Sequence, residues 1–80
     1  MTTKQITEKL TEIFRDVLDD ETIELSRQTS AQDIEDWDSL NHISLLVAIE
    51  KDFSVKLDLS EVKSLLNVGD MIDLIEKKVA

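Results

Sequence analysis

The stretch Asp36–Phe53, DWDSLNHISLLVAIEKDF, holds the only tryptophan and the only histidine of the chain, and its reading decides the fold. At about 100° per residue, Leu45, Leu46, Ile49 and Phe53 share one face of a helix, suited to a core. Leu40, Ile43 and Val47 gather on a different side, beginning immediately after Ser39. Two readings follow. Either the helix is central and buried on both flanks, or the second cluster is an exposed apolar docking patch beside the serine. The helix is expected from about Ser39 to Phe53, with Asp38 or Ser39 supplying the N-cap oxygen.

Outward from this segment the periods are helical, with no strand alternation. Ile6, Leu10, Ile13, Phe14, Val17 and Leu18 recur at three- and four-residue spacing, one stripe of an amphipathic helix, and Thr2 with Gln5 fits a capping box at its start. From Asp19 to Asp38 the periodicity breaks, leaving Ile23, Leu25, Ile34 and Trp37 among polar residues. This reads as a long ordered loop pinned by those four side chains, of the kind often tied to function. In DLSEVKSLL, Asp58 and Glu61 pair as a cap and its partner for a short helix through Leu66. A last helix starts near Asn67 and carries Val68, Met71, Ile72, Ile75 and Val79 on one stripe. The expectation is an all-α fold: a small four-helix bundle, three helices longer and one short, with a long ordered loop between the first and second.

A chain of 80 residues is read as one domain, residues 1–80, near the size at which a single core suffices. Without cysteine it can form neither a disulfide nor a thiolate metal site. Nine basic against 18 acidic residues give a net charge of −9, which repels nucleic acid and anionic membranes and favours partners rich in Lys and Arg. The N-terminus MTTKQITEKL has no apolar targeting core, and no apolar run approaches the roughly 20 residues of a membrane span. A cytoplasmic monomer is expected.

Catalysis by the chain's own side chains is poorly supported. A serine nucleophile needs a base and an orienting group that converge from separate segments. Here Asp38, Ser39 and His42 crowd one helix start, where His42 reads as a solvated helix residue. Asp33, Glu35, Asp36 and Asp38 alternate loosely, but counting an EF-hand loop from Asp36 or Asp33 puts neither Gly at the sixth place nor Glu at the twelfth. No metal site is assigned. A serine at a helix start has another use, as an attachment point for a phosphate, because the N–H groups and dipole there favour an anion.

Asp38, Ser39 and Leu40, opening an apolar helix that ends AIEKDFSVKL, followed by a short helix and then NVGDMIDLI, resemble the acyl carrier protein family over nearly the whole chain. The resemblance implies that a phosphopantetheinyl transferase, using coenzyme A and magnesium, attaches a covalent 4'-phosphopantetheine to Ser39, with Asp38 presenting the serine. The arm's thiol would hold acyl or aminoacyl groups as thioesters, and the chain would be no enzyme itself. Leu40, Ile43 and Val47 match positions that meet partner enzymes, and Glu50 an acidic recognition surface. Trp37 matches a form seen in specialised carriers and reads on its own as a packing anchor.

The chain also departs from carriers of bacterial fatty-acid synthesis. Ser44 and Lys51 stand where those are often acidic, and Ser54 and Asp58 where they have Gly and Pro. These departures point to a specialised free-standing carrier, loaded by a dedicated adenylating ligase or an acyltransferase and read by downstream acyl-processing enzymes. The alternative is an unmodified acidic helical domain that binds a partner protein through the same patch.

The charge alone makes a prediction. Self-repulsion on so small a body is relieved by screening, so the thermal midpoint should rise from low to physiological ionic strength. A flat or falling midpoint in a salt series would refute it.

Overall fold

The computed structural model describes residues 2–58, 60, 61, 65 and 67–79, with the exception of the Ser39 side chain. Three helices are found among them: α1 over Thr3–Val17, α2 over Ser39–Phe53 and α3 over Val68–Val79. No strand occurs among the described residues. The short helix expected through Leu66 falls largely outside those residues. Of its expected cap, the Glu61 carboxylate accepts the Asp58 N–H at 3.0 Å.

Each helix begins where the polar side chains can satisfy its first N–H groups. Thr2 caps α1 with its hydroxyl on the Gln5 N–H, and the Gln5 amide oxygen returns the bond to the Thr2 N–H. Asp38 caps α2 through the Asn41 N–H at 2.8 Å. At α3, Asn67 Oδ1 accepts the Asp70 N–H at 2.9 Å. Such caps each contribute about 1 kcal/mol by satisfying donors that the helix itself cannot.

The stripes meet in one core. Ile6, Leu10, Ile13 and Phe14 of α1 pack with Leu45, Leu46, Ile49 and Phe53 of α2 and with Val68, Met71, Ile72 and Ile75 of α3. Leu18, Ile23 and Trp37 complete the buried set. Leu25 and Ile34 pack half-buried against it.

The segment between α1 and α2 contains turns and no helix, and hydrogen bonds tie it to α1 and α3. Arg15 Nε–H donates to the Ile23 carbonyl at 2.8 Å. Farther on, the Val68 N–H donates to the Thr29 carbonyl at 2.8 Å and the Gly69 N–H to the Arg27 carbonyl at 3.0 Å. The loop thereby supplies acceptors to the first turn of α3, where no helical carbonyl is available. This approach is why residue 69 is glycine: a Cβ there would stand 2.9 Å from the Arg27 carbonyl oxygen and 3.2 Å from its Cβ.

The chain's one glycine is used at that approach, so it is absent from the helix ends. Asp19, after α1, and Ser54, capping the end of α2, adopt the left-handed conformation with φ of 51° and 55°. Asp20 N–H returns to the Arg15 carbonyl and Val55 N–H to the Glu50 carbonyl, closing both ends in the wide turn that glycine usually makes.

Two substitutions should therefore move stability in opposite directions. Gly69→Ala gains up to about 1 kcal/mol of helix propensity but forces the loop backbone off α3, an overpacking cost of about 1–3 kcal/mol, so the thermal midpoint should fall. Ser54→Gly relieves a left-handed residue and should raise the midpoint by the equivalent of about 1 kcal/mol. Calorimetry of the two variants checks both signs.

Candidate functional site

The start of α2 is built around Trp37, just before the cap. Its ring is buried, and it meets Phe14 of α1 edge to face, centroids 4.9 Å apart at 89°. Its backbone N–H donates to the Ile34 carbonyl at 3.1 Å. A buried indole carries an N–H that needs an acceptor. His42 provides it, with Nδ1 accepting from Trp37 Nε1 at 2.9 Å and the two rings stacked at 25°.

A second link crosses the same turn. Asn41 Nδ2–H donates to the Asp36 carbonyl at 2.7 Å, and the His42 N–H to the Asp38 carbonyl at 2.8 Å. Ser39 is the first residue of α2, inside these links, and its side chain lies outside the described atoms.

His42 is thus half-buried and bonded, which corrects the expectation of a solvated residue. The expectation failed because periodicity weighs apolar spacing and is blind to a polar bond between residues 37 and 42. The available signal was the indole itself, which must find a partner once it is buried. Burial lowers the His42 pKa below its ordinary 6.5. Because Nδ1 uses its lone pair on the indole, the neutral ring carries its proton on Nε2.

This geometry also closes the hydrolytic reading. A triad histidine gives its Nδ1–H to a carboxylate, whereas His42 Nδ1 is an acceptor and the Asp38 carboxylate is taken by the Asn41 N–H. Among the described residues no three His, Asp or Glu side chains gather into a metal-holding group. Asp33, one of the crowded acids, turns its carboxylate to the Ser30 N–H at 2.9 Å.

The second apolar cluster on α2 is exposed, so the helix is not buried on both flanks. Leu40 is 75% exposed, Ile43 61% and Val47 58%, on the side away from Leu45, Leu46, Ile49 and Phe53. Ser44 and Lys51 are exposed on the same helix. Glu50 is different: half-buried, it accepts the Leu57 N–H on Oε2 at 3.0 Å and so ties down the chain leaving α2.

Comparison with known proteins places this arrangement. A family model described as the phosphopantetheine attachment site matches residues 8–75. The chain belongs to the acyl carrier protein family. It is 36% identical over 72 residues to an acyl carrier protein of Acidothermus cellulolyticus, covering 90% of this chain and 86% of that one. It is 31% identical over 80 residues to one from Thermosynechococcus vestitus, covering 100% and 99%. The solution structure of a holo acyl carrier protein from Geobacter metallireducens superposes with a TM-score of 0.88 at 49% identity, covering 92% of this chain and 85% of that one. The protein is therefore a carrier and not a catalyst, bearing a covalent 4'-phosphopantetheine and conveying acyl groups as thioesters. Membership implies exchange with a phosphopantetheinyl transferase and with acyl-processing enzymes. No helix among the described residues is long and apolar enough to cross a membrane.

The lowered His42 pKa makes the stability of the carrier pH-dependent. Between the folded and unfolded pKa values the unfolded chain holds the proton and the folded one does not, so acidification favours unfolding. The stabilisation is present above the unfolded value of 6.5 and is lost as pH falls below it toward the folded value. Denaturant midpoints should fall from pH 7.5 to about 5.5 in the wild type and stay nearly level in His42→Gln.

Proposed function

We propose that Ser39 carries the prosthetic arm, that Asp38 presents it to the transferase, and that Leu40, Ile43 and Val47, with Glu50 at the far end of the helix, form the surface that partner enzymes dock against. The observation that carries this reading is the three exposed apolar side chains that begin immediately after Ser39 on a helix whose other face is core. When bound, the arm supplies the thiol that this cysteine-free chain lacks.

The residues suit the group. A phosphodiester on Ser39 would stand at the N-terminal end of α2, where the dipole favours an anion and the first turn has no acidic residue. The neighbouring acid, Asp38, already spends its carboxylate on the Asn41 N–H. Asp36, Asp38 and Leu40 are all exposed, which leaves the end open to an enzyme. In the transfer the Ser39 oxygen bonds the pantetheine-side phosphorus of coenzyme A, the pyrophosphate P–O bond breaks, adenosine bisphosphate leaves, and the hydroxyl proton passes to a base of the transferase.

Residues 1–80 are read as one monomeric, cytoplasmic carrier domain of four helices, the fourth being the short one over residues 58–66. Its partners are read as those of a specialised carrier, charged by a dedicated adenylating ligase and not by general fatty-acid elongation. Ser44 and Lys51 support this, because each replaces a negative charge with a neutral or positive group on an exposed helix that basic partners would approach. Each substitution is worth about 1 kcal/mol or less at a rim, so the apolar trio takes a larger share of docking.

Intact mass after incubation with coenzyme A, magnesium and a broad-specificity transferase tests the site. Wild type should gain one phosphopantetheinyl group and Ser39→Ala none; an equal gain in both would reassign the attachment. For the surface, Val47→Asp should lower kcat/KM for loading by the cognate ligase about tenfold, the value of burying one valine, with stability changed by no more than about 0.5 kcal/mol. Efficient malonylation and elongation of the holo protein by general fatty-acid enzymes would overturn the specialised reading.

A further inference from the structure

The Trp37 to His42 bond spans the attachment point. Trp37 lies before Ser39 and His42 after it, so a side-chain hydrogen bond of 2.9 Å closes the chain around the serine. One end of this bracket is fixed in the core, where the indole packs edge to face on Phe14. The other end, His42, closes the first turn of α2 with its N–H on the Asp38 carbonyl, and the N–H groups before it in that turn have no helical carbonyl, in the part of a helix that frays most readily. The Asn41 amide on the Asp36 carbonyl spans the same turn, but Asp36 is exposed and neither residue belongs to the buried core.

We propose, building on the assignment of the arm to Ser39, that His42 is a positioning residue for that modification: by accepting the Trp37 N–H it holds the first turn of α2 helical around Ser39, in the geometry that the transferase engages. The role requires an acceptor at Nδ1. Glutamine can supply one through its amide oxygen, leucine cannot, and neither can the doubly protonated imidazolium.

The charged groups nearest along the chain are Asp36 and Asp38, the latter with its carboxylate turned to the Asn41 N–H. From α1 the pair meets the uncharged ring of Phe14. Burial alone accounts for the behaviour of the imidazole, with no contribution from a charge on another helix.

The test is the rate of pantetheinyl transfer from coenzyme A onto wild type, His42→Leu and His42→Gln by one transferase, followed from pH 7.5 down to the pH at which the NMR shifts of the folded His42 ring show it protonated. Circular dichroism confirms that each carrier remains folded at each pH. At pH 7.5 His42→Leu should lose about fivefold in kcat/KM, the value of one hydrogen bond of about 1 kcal/mol, while His42→Gln stays within about twofold of wild type. The ratio of wild type to His42→Gln should then fall as pH drops, since the transferase's own titration cancels in the ratio and only the imidazole differs. Transfer to His42→Leu at the wild-type rate overturns the proposal, and so does a ratio that stays constant through the pH at which the folded His42 ring takes up its second proton. Should His42→Leu fail to fold, the ratio alone decides. If wild type accepts no arm, or Ser39→Ala accepts as much, the attachment site itself is misassigned, an outcome distinct from a modified wild type that is indifferent to His42.

Discussion

A buried tryptophan must find an acceptor for its N–H, and the start of α2 is arranged around that requirement. Burying the ring removes about 150–250 Å² from water, worth roughly 4–6 kcal/mol at 25 cal/mol per Å². An unpaired N–H would cost about 1–3 kcal/mol. The first effect exceeds the second, so the ring would enter the core even without a partner. What the His42 bond determines is therefore where the first turn of α2 sits relative to that ring. Through Phe14 the same ring is keyed to α1, and the position of Ser39 is inherited from the core and not from the loop that precedes it.

From that anchored end α2 divides its surface between two tasks. Leu45, Leu46, Ile49 and Phe53 hold the bundle together, while Leu40, Ile43 and Val47 remain in water. Leaving three aliphatic side chains exposed forgoes burial energy and invites association. The net charge of −9 counteracts the second effect by mutual repulsion between copies. In the proposed docking role the same charge would attract basic partners to the patch, so that solubility and recognition would come from one composition. Glu50 shows that the acidic residues also have structural uses: its carboxylate fixes the Leu57 N–H.

Much of this was legible in the chain because it depends on local chemistry. The Thr2–Gln5 box, the Asp38 cap and the three core stripes follow from spacing and hydrogen-bonding capacity within a few residues. The role proposed for Ser39 rests on its position, after a long connection and ahead of an apolar helix. Periodicity alone left open whether Leu40, Ile43 and Val47 were buried, since it reports which residues share a face and not whether another element covers it. The Trp37–His42 bond and the docking of residues 27 to 29 onto α3 were not legible for a related reason. Both join groups whose separation is set by the path of an aperiodic segment, and such a path is specified by tertiary contacts.

The single glycine shows how those contacts constrain the rest. At residue 69 a side chain would push the Arg27 carbonyl from the first turn of α3, leaving the Gly69 N–H without its acceptor. With glycine committed there, α1 and α2 end through Asp19 and Ser54 in a left-handed conformation that costs an L-residue about 1–2 kcal/mol. Both of these residues follow the C-terminal ends of their helices. For α2 this separates the two ends by their energetics: the N-terminal end has a cap, a side-chain clamp and a core anchor, and the C-terminal end carries the unfavourable backbone. With the arm on Ser39, as proposed, this order serves a carrier better than its reverse, since strain placed at the far end of the helix loosens a turn that the transferase would not need to read.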